Sequence, residues 1–440
     1  MKRSHRWTWM IGLFALVLLN PLAAKAADLP TAAPEKVGMS SQRLARIKPV
    51  MARYVEQNLI AGAAWLVARK GKVVHFESVG YREAETKSPL NTDAIFRIAS
   101  MTKPITTTAL MMLYEEGQFQ LSDPVWKWIP EFRKVEVAVD RESGDPGDKP
   151  YKLVKAKRPI TIHHLLTHTA GLSNEYVGKY TQDLYRAASK RQRPDETIAD
   201  FVKRYAEIPL NYQPGEAWQY SRATCVVGRL VEIMSGMTLD EFFRKRIFEP
   251  LKMTDTHFYL PQAKLGRFTA AYKPGQEKKL EPIDPAGAES SFVKEPHVYF
   301  MGSGGLVSTT ADYFRFCQML LNRGQLDGAR LLGRKTVEFM SQSHTGDLPI
   351  WLTGPGTGFG LGFGVKTQAA AENILVRESW QQGPVPGSTG TFSWGGAYCT
   401  IFFIDPKEEL IGIMMTQVRP YNHLNIRNDF IGLAYQAIVD

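Results

Sequence analysis

The sequence predicts a mixed α/β (α+β) fold in which both chain ends build one β-sheet with helices on both of its sides. Near the N-terminus, the apolar runs GAAWLVA and KVVHFESVG are joined by Arg69-Lys70-Gly71, a pattern typical of a β-hairpin. Near the C-terminus, GTFSWGGAYCTIFFIDPKEELIGIMMTQ contains two apolar strands around a turn at 405–408. Strands this continuously apolar are expected to be covered on both faces.

Residues 1–26 have the pattern of a secretory signal. A basic tip with Lys2, Arg3 and Arg6 precedes the apolar run WMIGLFALVLL, and small residues follow up to Ala24-Lys25-Ala26. These three parts in this order predict a bacterial-type export to the periplasm or the medium. The segment holds no cysteine, so lipid-anchored processing is not expected. An uncleaved signal anchor is the alternative.

The first sheet-forming part, residues 27–120, is expected to contain one helix on each side of the hairpin. After Ser40, apolar residues recur at helical spacing and predict a helix with a serine N-cap, the positions being Leu44, Ile47 and Met51. After the hairpin, FRIASMTKPITTTALMMLYEEG predicts an apolar helix that ends near its final glycine.

Residues 121–299 are richer in helical periods, prolines and polar loops, and we predict that they form an inserted, mostly helical domain. Within them, the charged and turn-rich segment 135–160 is expected to be a surface excursion. The sheet domain resumes over 300–440, where TTADYFRFCQMLLN predicts a threonine-capped helix. The later GTGFGLGFGV lacks the Gly-Lys-Ser/Thr ending of a phosphate-binding loop, and its alternating Phe and Leu residues indicate a glycine-rich strand.

Charge and composition exclude several classes of partner. Loss of the signal removes four of the 54 lysines and arginines, which leaves 50 against 44 acidic residues, a balance of +6. The charged run SKRQRPDE at 189–196 is typical of a solvated face, so no nucleic-acid partner is expected. No apolar run after the signal reaches membrane-spanning length, so no stable membrane insertion is expected once the signal is cleaved.

Neither the cysteines nor the histidines predict a metal or another cofactor. Cys225, Cys317 and Cys399 each lie in an apolar segment, which indicates buried free thiols. His164 and His168 have the i,i+4 spacing of a zinc pair, but a leucine stands where the zinc motif has its glutamate, and no third ligand is near. We expect a structural role near a helix end, with metal binding as the alternative.

A search for a nucleophilic serine leads to one S-x-x-K quartet. The G-x-S-x-G elbow of the α/β-hydrolases is absent. S-x-x-K occurs twice, against about 1.3 occurrences expected by chance from 21 serines and 27 lysines. The quartet from Ser291 to Lys294 lies between prolines with no helical period, whereas the one from Ser100 to Lys103 opens an apolar helix. On a helix, positions i and i+3 share a face, so the lysine amine can reach the serine oxygen.

The start of a helix suits an activated serine. Its free backbone N–H groups can stabilise a developing oxyanion near Ser100. Its positive end, together with burial, favours the neutral amine of Lys103, which can then act as a general base. Pro104 is tolerated because first-turn N–H groups lack intrahelical partners. The alternative is that Ser100 only caps the helix and Lys103 extends to solvent.

Two further segments offer groups that acyl transfer needs. Tyr220, in QPGEAWQYSRATCVVG, lies between a Pro-Gly turn and a helix, where its phenol can pass a proton to a leaving group; the alternative is a packed core tyrosine. Trp394-Gly395-Gly396-Ala397 begins the apolar strand pair, and two glycines in a strand mark a bulge or a close backbone approach. A substrate acyl group could lie there, with the Ala397 N–H as a second oxyanion donor.

Taken in this order, SMTK, YSR and WGG resemble the serine β-lactamase and penicillin-binding-protein superfamily, particularly class C-like enzymes and family VIII carboxylesterases. LLTHTAGL, GGLVSTTADYFRFCQMLLN and FIDPKEELIGIMM resemble it too, so the resemblance covers nearly the whole mature chain. It implies an antiparallel sheet flanked by helices plus a mostly helical domain, with the site between them. It also implies that Ser100 is acylated, Lys103 is its base, Tyr220 relays the proton, and the N–H groups of Ser100 and Ala397 form the oxyanion hole.

Two departures from the family pattern bear on the substrate. The β-lactamase members carry Y-x-N and K-T-G, whereas this chain has Arg222 and Trp394-Gly395-Gly396 in those places. The missing lysine removes a cation that would hold a lactam or peptide carboxylate, and the missing asparagine removes an amide donor for an acylamino side chain. W-G-G is what family VIII esterases often show. Arg222 and the W-G-G residues are the expected substrate-binding residues.

The sequence thus predicts an exported serine hydrolase that cleaves carboxylic esters through an acyl-enzyme, without metal or cofactor. The expected partner is a small-molecule ester or lactam. One alternative is a β-lactamase or D-alanyl-D-alanine carboxypeptidase of the same fold. The other is a non-catalytic, cell-wall-associated binding protein.

Overall fold

The computed structural model describes residues 29–142, 147, 149–276, 279–354, 356–367 and 385–440, so the predicted signal at 1–26 lies outside the described residues. Its strands are β1 Gly62–Arg69, β2 Lys72–Glu83, β3 Ser88–Pro89, β4 Phe96–Arg97, β5 Glu136–Asp140, β6 Tyr151–Lys155, β7 Ala271–Pro274, β8 Leu280–Asp284, β9 Val307–Ser308, β10 Gln325–Leu326, β11 Ala329–Arg330, β12 Thr357–Phe359, β13 Gly364–Lys366, β14 Phe392–Gly396, β15 Thr400–Asp405 and β16 Leu410–Thr416.

Its α-helices are α1 Ser41–Leu44, α2 Ile47–Glu56, α3 Thr102–Glu115, α4 Ile162–Leu166, α5 Gln182–Lys190, α6 Ile198–Ala206, α7 Ala223–Ser235, α8 Leu239–Phe243, α9 Thr310–Leu321, α10 Arg334–Met340 and α11 Ile426–Tyr435. Short 3₁₀ turns lie at Pro34–Val37, Ala99–Met101, Val125–Lys127, Pro130–Lys134 and Gln262–Arg267, and a π-helical turn at Arg244–Phe248.

One antiparallel sheet is built from both ends of the chain. Within the described ranges it has eight strands in the order β12-β13-β14-β15-β16-β1-β2-β3. The N-terminal hairpin joins the C-terminal strands where β1 pairs with β16, from Ala63 opposite Thr416 to Arg69 opposite Leu410. The predicted fold class is therefore confirmed, including the sheet shared by the two chain ends.

Both faces of this sheet are covered, as the apolar strands predicted. Side chains alternate between the faces of a strand. In β1, Ala64 and Leu66 pack into the larger core, whereas Trp65 and Val67 pack into a second core, and all four are fully buried. Helix α3 belongs to the first core, and α1, α2 and α11 supply the second. The sheet is thus a middle layer between two sets of helices.

The predicted N-terminal helix is split into α1 and α2. Ser40 caps α1 through a hydrogen bond from the Arg43 N–H. The interruption falls at residues 45–46, and Pro49 lies in the first turn of α2. Proline has no N–H to donate to the carbonyl four residues earlier, and its ring clashes with that carbonyl, so a continuous helix cannot pass Ala45.

The glycine-rich segment forms the two short strands β12 and β13 instead of one strand. At the turn between them Gly362 has a φ of 86°, the left-handed region that glycine adopts readily. A side chain there would lie 2.5 Å from Thr107 Oγ1 of α3. The chain therefore folds back where it meets α3.

Residues 121–299 hold helices α4 to α8 together with two hairpins. One of these, β5 with β6, lies in the predicted surface excursion at 135–160. Part of this hairpin is buried: Val137 and Ala138 lie on opposite faces of β5 and are both buried, and Val137 forms a bridge with Leu210. The division into a sheet domain at 27–120 and 300–440 and an inserted domain at 121–299 stays a prediction.

Two smaller predictions concern the thiols and the membrane. Cys225, Cys317 and Cys399 are free and buried, as predicted. Among the described residues, no helix is both long enough and apolar enough to cross a membrane.

Candidate active site

Ser100 lies in the 3₁₀ turn Ala99–Met101, which continues directly into α3. In a 3₁₀ turn, residues i and i+3 eclipse each other, so Lys103 projects from the same side as Ser100. The preceding residue, Ala99, has a φ of 43°, which is costly for a residue with a side chain. Such strain persists where neighbouring contacts enforce it and is common at functional sites. Here the Ile98 N–H donates to the Leu306 carbonyl at 3.1 Å.

Lys103 points its amine at the serine and does not extend to solvent. Only 4% of its surface is exposed. Its Nζ lies 3.2 Å from Ser100 Oγ and 2.6 Å from the carbonyl oxygen of Ser303. The loop that carries Ser303 is held against α3, because Thr106 donates to the Gly302 carbonyl at 2.6 Å. The lysine is therefore fixed by a backbone acceptor on one side and the serine on the other.

Tyr220 reaches the same serine oxygen from the chain segment before α7. Its hydroxyl lies 2.7 Å from Ser100 Oγ. Its ring packs against His168 and Trp394, with ring centroids 5.2 Å and 5.6 Å away, and Lys103 Nζ lies 4.7 Å from its centre. The three predicted catalytic residues thus meet at one oxygen, although Tyr220 is 120 positions from Ser100.

The two histidines considered as a zinc pair have other partners. His164 Nδ1 accepts from the Thr161 N–H at 3.2 Å and completes a capping box at the start of α4. His168 is buried, with Nδ1 3.2 Å from Ser221 Oγ. Burial lowers the pKa of His168 to about 3, so this imidazole is neutral beside the site at physiological pH. The part of the chain that the structure describes holds no cluster of three or more His, Cys, Asp or Glu residues that could bind a metal ion.

Trp394 forms an aromatic wall next to the serine. It is 5% exposed and makes an edge-on contact with Phe359, with ring centroids 5.2 Å apart. Its indole Nε1 is buried without a hydrogen-bond partner among the described residues. Gly364 of β13 lies under the ring, where a Cβ would be in van der Waals contact at 3.6 Å. Position 394 therefore presents an aromatic ring and no charge.

The end of β14 lies against the turn that carries the serine. A side chain at Gly396 would overlap both the Ile98 carbonyl and the Thr400 hydroxyl. Ile98 is two residues before Ser100, so the close backbone approach predicted for the glycines occurs beside the turn that carries this serine. At Gly395 a Cβ would lie 2.9 Å from Nη1 of Arg427. The structure therefore brings the strand from Trp394 to Ala397 next to the serine.

Arg222 is paired with a carboxylate. Its guanidinium forms a two-pronged ion pair with Glu175, in which Nε lies 3.2 Å from Oε2. Although burial opposes the charge, the Glu175 carboxylate raises the pKa of Arg222 above its usual value. Nη1 also lies 3.4 Å from the hydroxyl of Ser303, whose carbonyl accepts from Lys103. Arg222 is thus close to the site, and its guanidinium is already engaged by Glu175.

Sequence reasoning missed several residues that hold this arrangement together. Asn174 Nδ2 donates to the backbone carbonyl of Tyr220 at 2.9 Å. Ser303 anchors Lys103, and Glu175 anchors Arg222. Asn174 stands directly after LLTHTAGLS, a stretch whose likeness to a family motif was the only available signal. Nothing in the local sequence marked Ser303 or Glu175, because their partners lie far away along the chain.

Comparisons with known proteins bear on the family and the fold of the chain. The family model described as Beta-lactamase matches residues 47–436. An uncharacterised protein of Mycobacterium tuberculosis is 34% identical over 379 residues, which cover 83% of this chain and 88% of that protein. Esterase EstB of Burkholderia gladioli is 29% identical over 389 residues, which cover 84% of this chain and 90% of the EstB chain. Among solved structures, EstCE1, described as a hydrolase with promiscuous acyltransferase activity, superposes with a TM-score of 0.72 at 26% identity, covering 91% of this chain and 99% of its own.

Proposed function

This chain belongs to the beta-lactamase family of serine hydrolases, and from that premise we propose that it cleaves carboxylic esters through an acyl-enzyme on Ser100. The observation that carries the proposal is the position of Ser100 Oγ, 3.2 Å from Lys103 Nζ and 2.7 Å from Tyr220 OH. A nucleophile within hydrogen-bonding distance of a base and of a second proton carrier is what acyl transfer requires.

In acylation, Ser100 Oγ attacks the ester carbonyl carbon while its proton passes to the amine of Lys103. The carbonyl oxygen becomes an oxyanion, which the backbone N–H groups of Ser100 and Ala397 stabilise. As the bond to the alcohol oxygen breaks, Tyr220 donates its phenolic proton to that oxygen and regains a proton from Lys103. The alcohol leaves, and the acyl group remains on Ser100.

In deacylation, the same residues act on water. A water molecule attacks the acyl carbon and gives a proton to Tyr220 as the phenol passes its own proton to Lys103. The Lys103 ammonium then protonates the departing Ser100 oxygen. The oxyanion occupies the same pair of N–H groups. The products are the carboxylic acid and the free enzyme, so no metal or cofactor is needed in either half of the reaction.

An ester is preferred to a lactam because of the residue at the start of the W-G-G motif. Lactam-cleaving members of this family have a lysine there, whereas Trp394 presents a buried aromatic ring against Tyr220 and Phe359. An apolar wall suits an uncharged acyl or alcohol group and offers no cation for a carboxylate. The names of EstB and EstCE1, an esterase and a hydrolase with acyltransferase activity, support the same choice.

The test is turnover of short-chain nitrophenyl esters, with two serine variants as a matched pair. Ser100→Ala is expected to abolish turnover and labelling by a fluorophosphonate probe. Ser291→Ala, which removes the exposed serine of the second S-x-x-K quartet, is expected to retain both. Faster acylation by a chromogenic cephalosporin than by any ester would instead favour the β-lactamase alternative. Retention on peptidoglycan without turnover or labelling would favour the binding protein.

We also propose that the protein is exported and loses residues 1–26. The basic tip, apolar run and Ala24-Lys25-Ala26 ending support this. After expression of the full chain in a Gram-negative host, the protein is expected in the periplasmic fraction or the medium, with Ala27 as its first residue by N-terminal sequencing. An intact N-terminus that stays with the membrane fraction would contradict cleavage and favour a retained anchor.

A further inference from the structure

Arg427, near the start of α11, binds the end of the strand that carries the W-G-G motif. Its Nη2 donates to the carbonyl oxygens of Gly396 at 2.5 Å and of Thr400 at 2.7 Å. Its Nη1 donates to the Tyr421 hydroxyl at 2.5 Å, and the guanidinium lies over that ring, 4.1 Å from its centre. Only 7% of the residue is exposed. The guanidinium thus bridges two backbone carbonyls inside the protein.

Within the described ranges, this buried cation differs from the other buried arginines in having no carboxylate partner. Arg69, Arg97 and Arg315 are each paired with an aspartate or glutamate. Among the described residues none forms an ion pair with Arg427. An uncompensated buried charge is expensive for folding. Its presence calls for a role that a neutral side chain could not fill.

The bonded carbonyl belongs to the Gly396–Ala397 peptide group, whose N–H is the oxyanion donor of the proposed mechanism. In a trans peptide the C=O and N–H point in opposite directions. The Gly396 carbonyl accepts from Arg427 and also from the Cys399 N–H at 3.1 Å, which fixes the plane of the peptide. With the carbonyl held toward α11, the Ala397 N–H faces away from it. A cation on the carbonyl also polarises the amide and makes its N–H a stronger donor.

The first glycine of the motif, Gly395, is explained by the same arginine. A Cβ at Gly395 would lie 2.9 Å from Nη1 and 3.0 Å from both Cζ and Nη2 of Arg427. All three contacts are to the guanidinium, a rigid group that is held by its hydrogen bonds to the carbonyls of Gly396 and Thr400. Gly395 therefore leaves the space in which the guanidinium reaches Gly396 and Thr400.

We propose that Arg427 is a positioning residue for catalysis, which orients and polarises the Gly396–Ala397 peptide so that its N–H stabilises the oxyanion. The proposal rests on the proposed function, because it assumes that Ala397 donates to an oxyanion formed at Ser100. It adds a residue that the W-G-G motif does not include, and it gives a buried, unpaired cation a role in the transition state.

The test compares Arg427→Met and Arg427→Lys with Arg315→Met, which removes another buried arginine, one that is bound to Leu251 and Asp327. Nitrophenyl ester kinetics are measured together with the inhibition constant of an arylboronic acid, whose tetrahedral adduct on Ser100 places a charged oxygen in the oxyanion hole. Arg427→Met is expected to lower kcat about 10- to 100-fold with little change in KM, and to weaken the boronate by a similar factor. The kcat and the boronate affinity of Arg427→Lys are expected to lie between those of the parent and those of Arg427→Met. An ammonium keeps the charge but cannot bridge both carbonyls as rigidly.

Arg315→Met is expected to lower Tm while kcat and boronate affinity stay within about twofold of the parent. If Arg427→Met does not fold, Gly395→Ala decides instead, because its methyl group displaces the guanidinium while retaining the charge. The same parallel loss of kcat and boronate affinity is then expected. A folded Arg427 or Gly395 variant with unchanged kcat and boronate affinity would overturn the proposal. Failure of the parent protein to turn over esters or to label at Ser100 would instead overturn the proposed function, and this inference with it.

Discussion

At the scale of residues, the candidate site consists of Ser100 Oγ and its two hydrogen-bonding neighbours, Lys103 and Tyr220. Lys103 is held by the Ser303 carbonyl, and Tyr220 by the rings around it and by Asn174. Because these supports come from separate parts of the chain, the geometry does not depend on any one loop. The sequence nevertheless predicted that these three residues would meet, since Ser100 and Lys103 stand at the start of a helix and Tyr220 just before one, each in a recognisable motif.

Replacing Tyr220 with phenylalanine separates the phenol's chemistry from the ring's packing. The variant keeps the contacts with His168 and Trp394 but loses the hydroxyl that lies 2.7 Å from Ser100 Oγ. We expect kcat for a nitrophenyl ester to fall about 10²- to 10⁴-fold, the usual contribution of a proton carrier, with Tm nearly unchanged. Tyr259→Phe is the control, because its hydroxyl donates to a backbone carbonyl, that of Tyr299, and does not contact Ser100. A Tyr220→Phe variant as fast as the parent would remove Tyr220 from the mechanism.

The residues that sequence reasoning missed share one property. Asn174, Ser303, Glu175 and Arg427 act through contacts with groups distant in the sequence, and only the folded chain brings them together. A buried arginine such as Arg427 follows no periodic pattern, and its partners are backbone carbonyls whose positions a sequence does not reveal. Such residues could not have been predicted from one sequence.

At the scale of elements, the strands were more predictable than the ends of the helices. The continuous apolar runs of β1, β15 and β16 predicted a sheet covered on both faces, and the residues of these strands are buried. The break between α1 and α2 follows from Pro49 and was available in the sequence. By contrast, the fold-back between β12 and β13 depends on the proximity of Thr107 on α3, which no local pattern indicates.

Helix α2 offers a test of the second core, which it forms with α11 on one face of the sheet. Met51 is fully buried in this core, and Arg53 is exposed two residues later. Met51→Ala is expected to lower the free energy of unfolding by about 2–5 kcal/mol, because it leaves a cavity. Arg53→Ala is expected to stay within about 0.5 kcal/mol of the parent. Urea unfolding measures both, and equal effects of the two variants would contradict this packing.

At the scale of the whole molecule, the two chain ends are joined by more than the sheet. The Arg69 guanidinium donates to the carbonyls of Val37 and Gly38 and pairs with Asp440 and Glu408. The segment before α1 and the last residue of the chain therefore meet on one buried arginine. The sequence predicted that both chain ends share a sheet but not that Arg69 joins them, because an ion pair between residues 69 and 440 has no local sequence pattern.

Buried histidines are expected to make the whole molecule sensitive to acid. Burial lowers the pKa of His168 to about 3 and the pKa values of His164 and His257 to about 4. Below pH 6.5 the unfolded chain binds protons that the folded chain does not, so the free energy of unfolding falls as pH drops from 6.5 toward 3. Between pH 6.5 and its own pKa in the folded protein, each of these histidines lowers the free energy of unfolding by about 1.4 kcal/mol per pH unit, and at higher pH it has no effect.

The variant His168→Asn isolates one of these contributions. Asparagine tolerates the left-handed backbone that His168 adopts, with a φ of 56°. Plotted between pH 4 and 6.5, the free energy of unfolding is expected to have a shallower slope in the variant than in the parent. Above pH 7 the two curves are expected to run parallel, which serves as an internal control. Equal slopes in the acid range would show that His168 takes up its proton normally in the folded protein.

The most direct test of the central claim is mass spectrometry of the protein after acid quenching of its reaction with a short-chain nitrophenyl ester. The account predicts a mass increase equal to one acyl group, carried on the peptide that contains Ser100, and no such increase in Ser100→Ala. Hydrolysis of the ester by Ser100→Ala at the parent's rate, or an acyl group located on another residue, would contradict it.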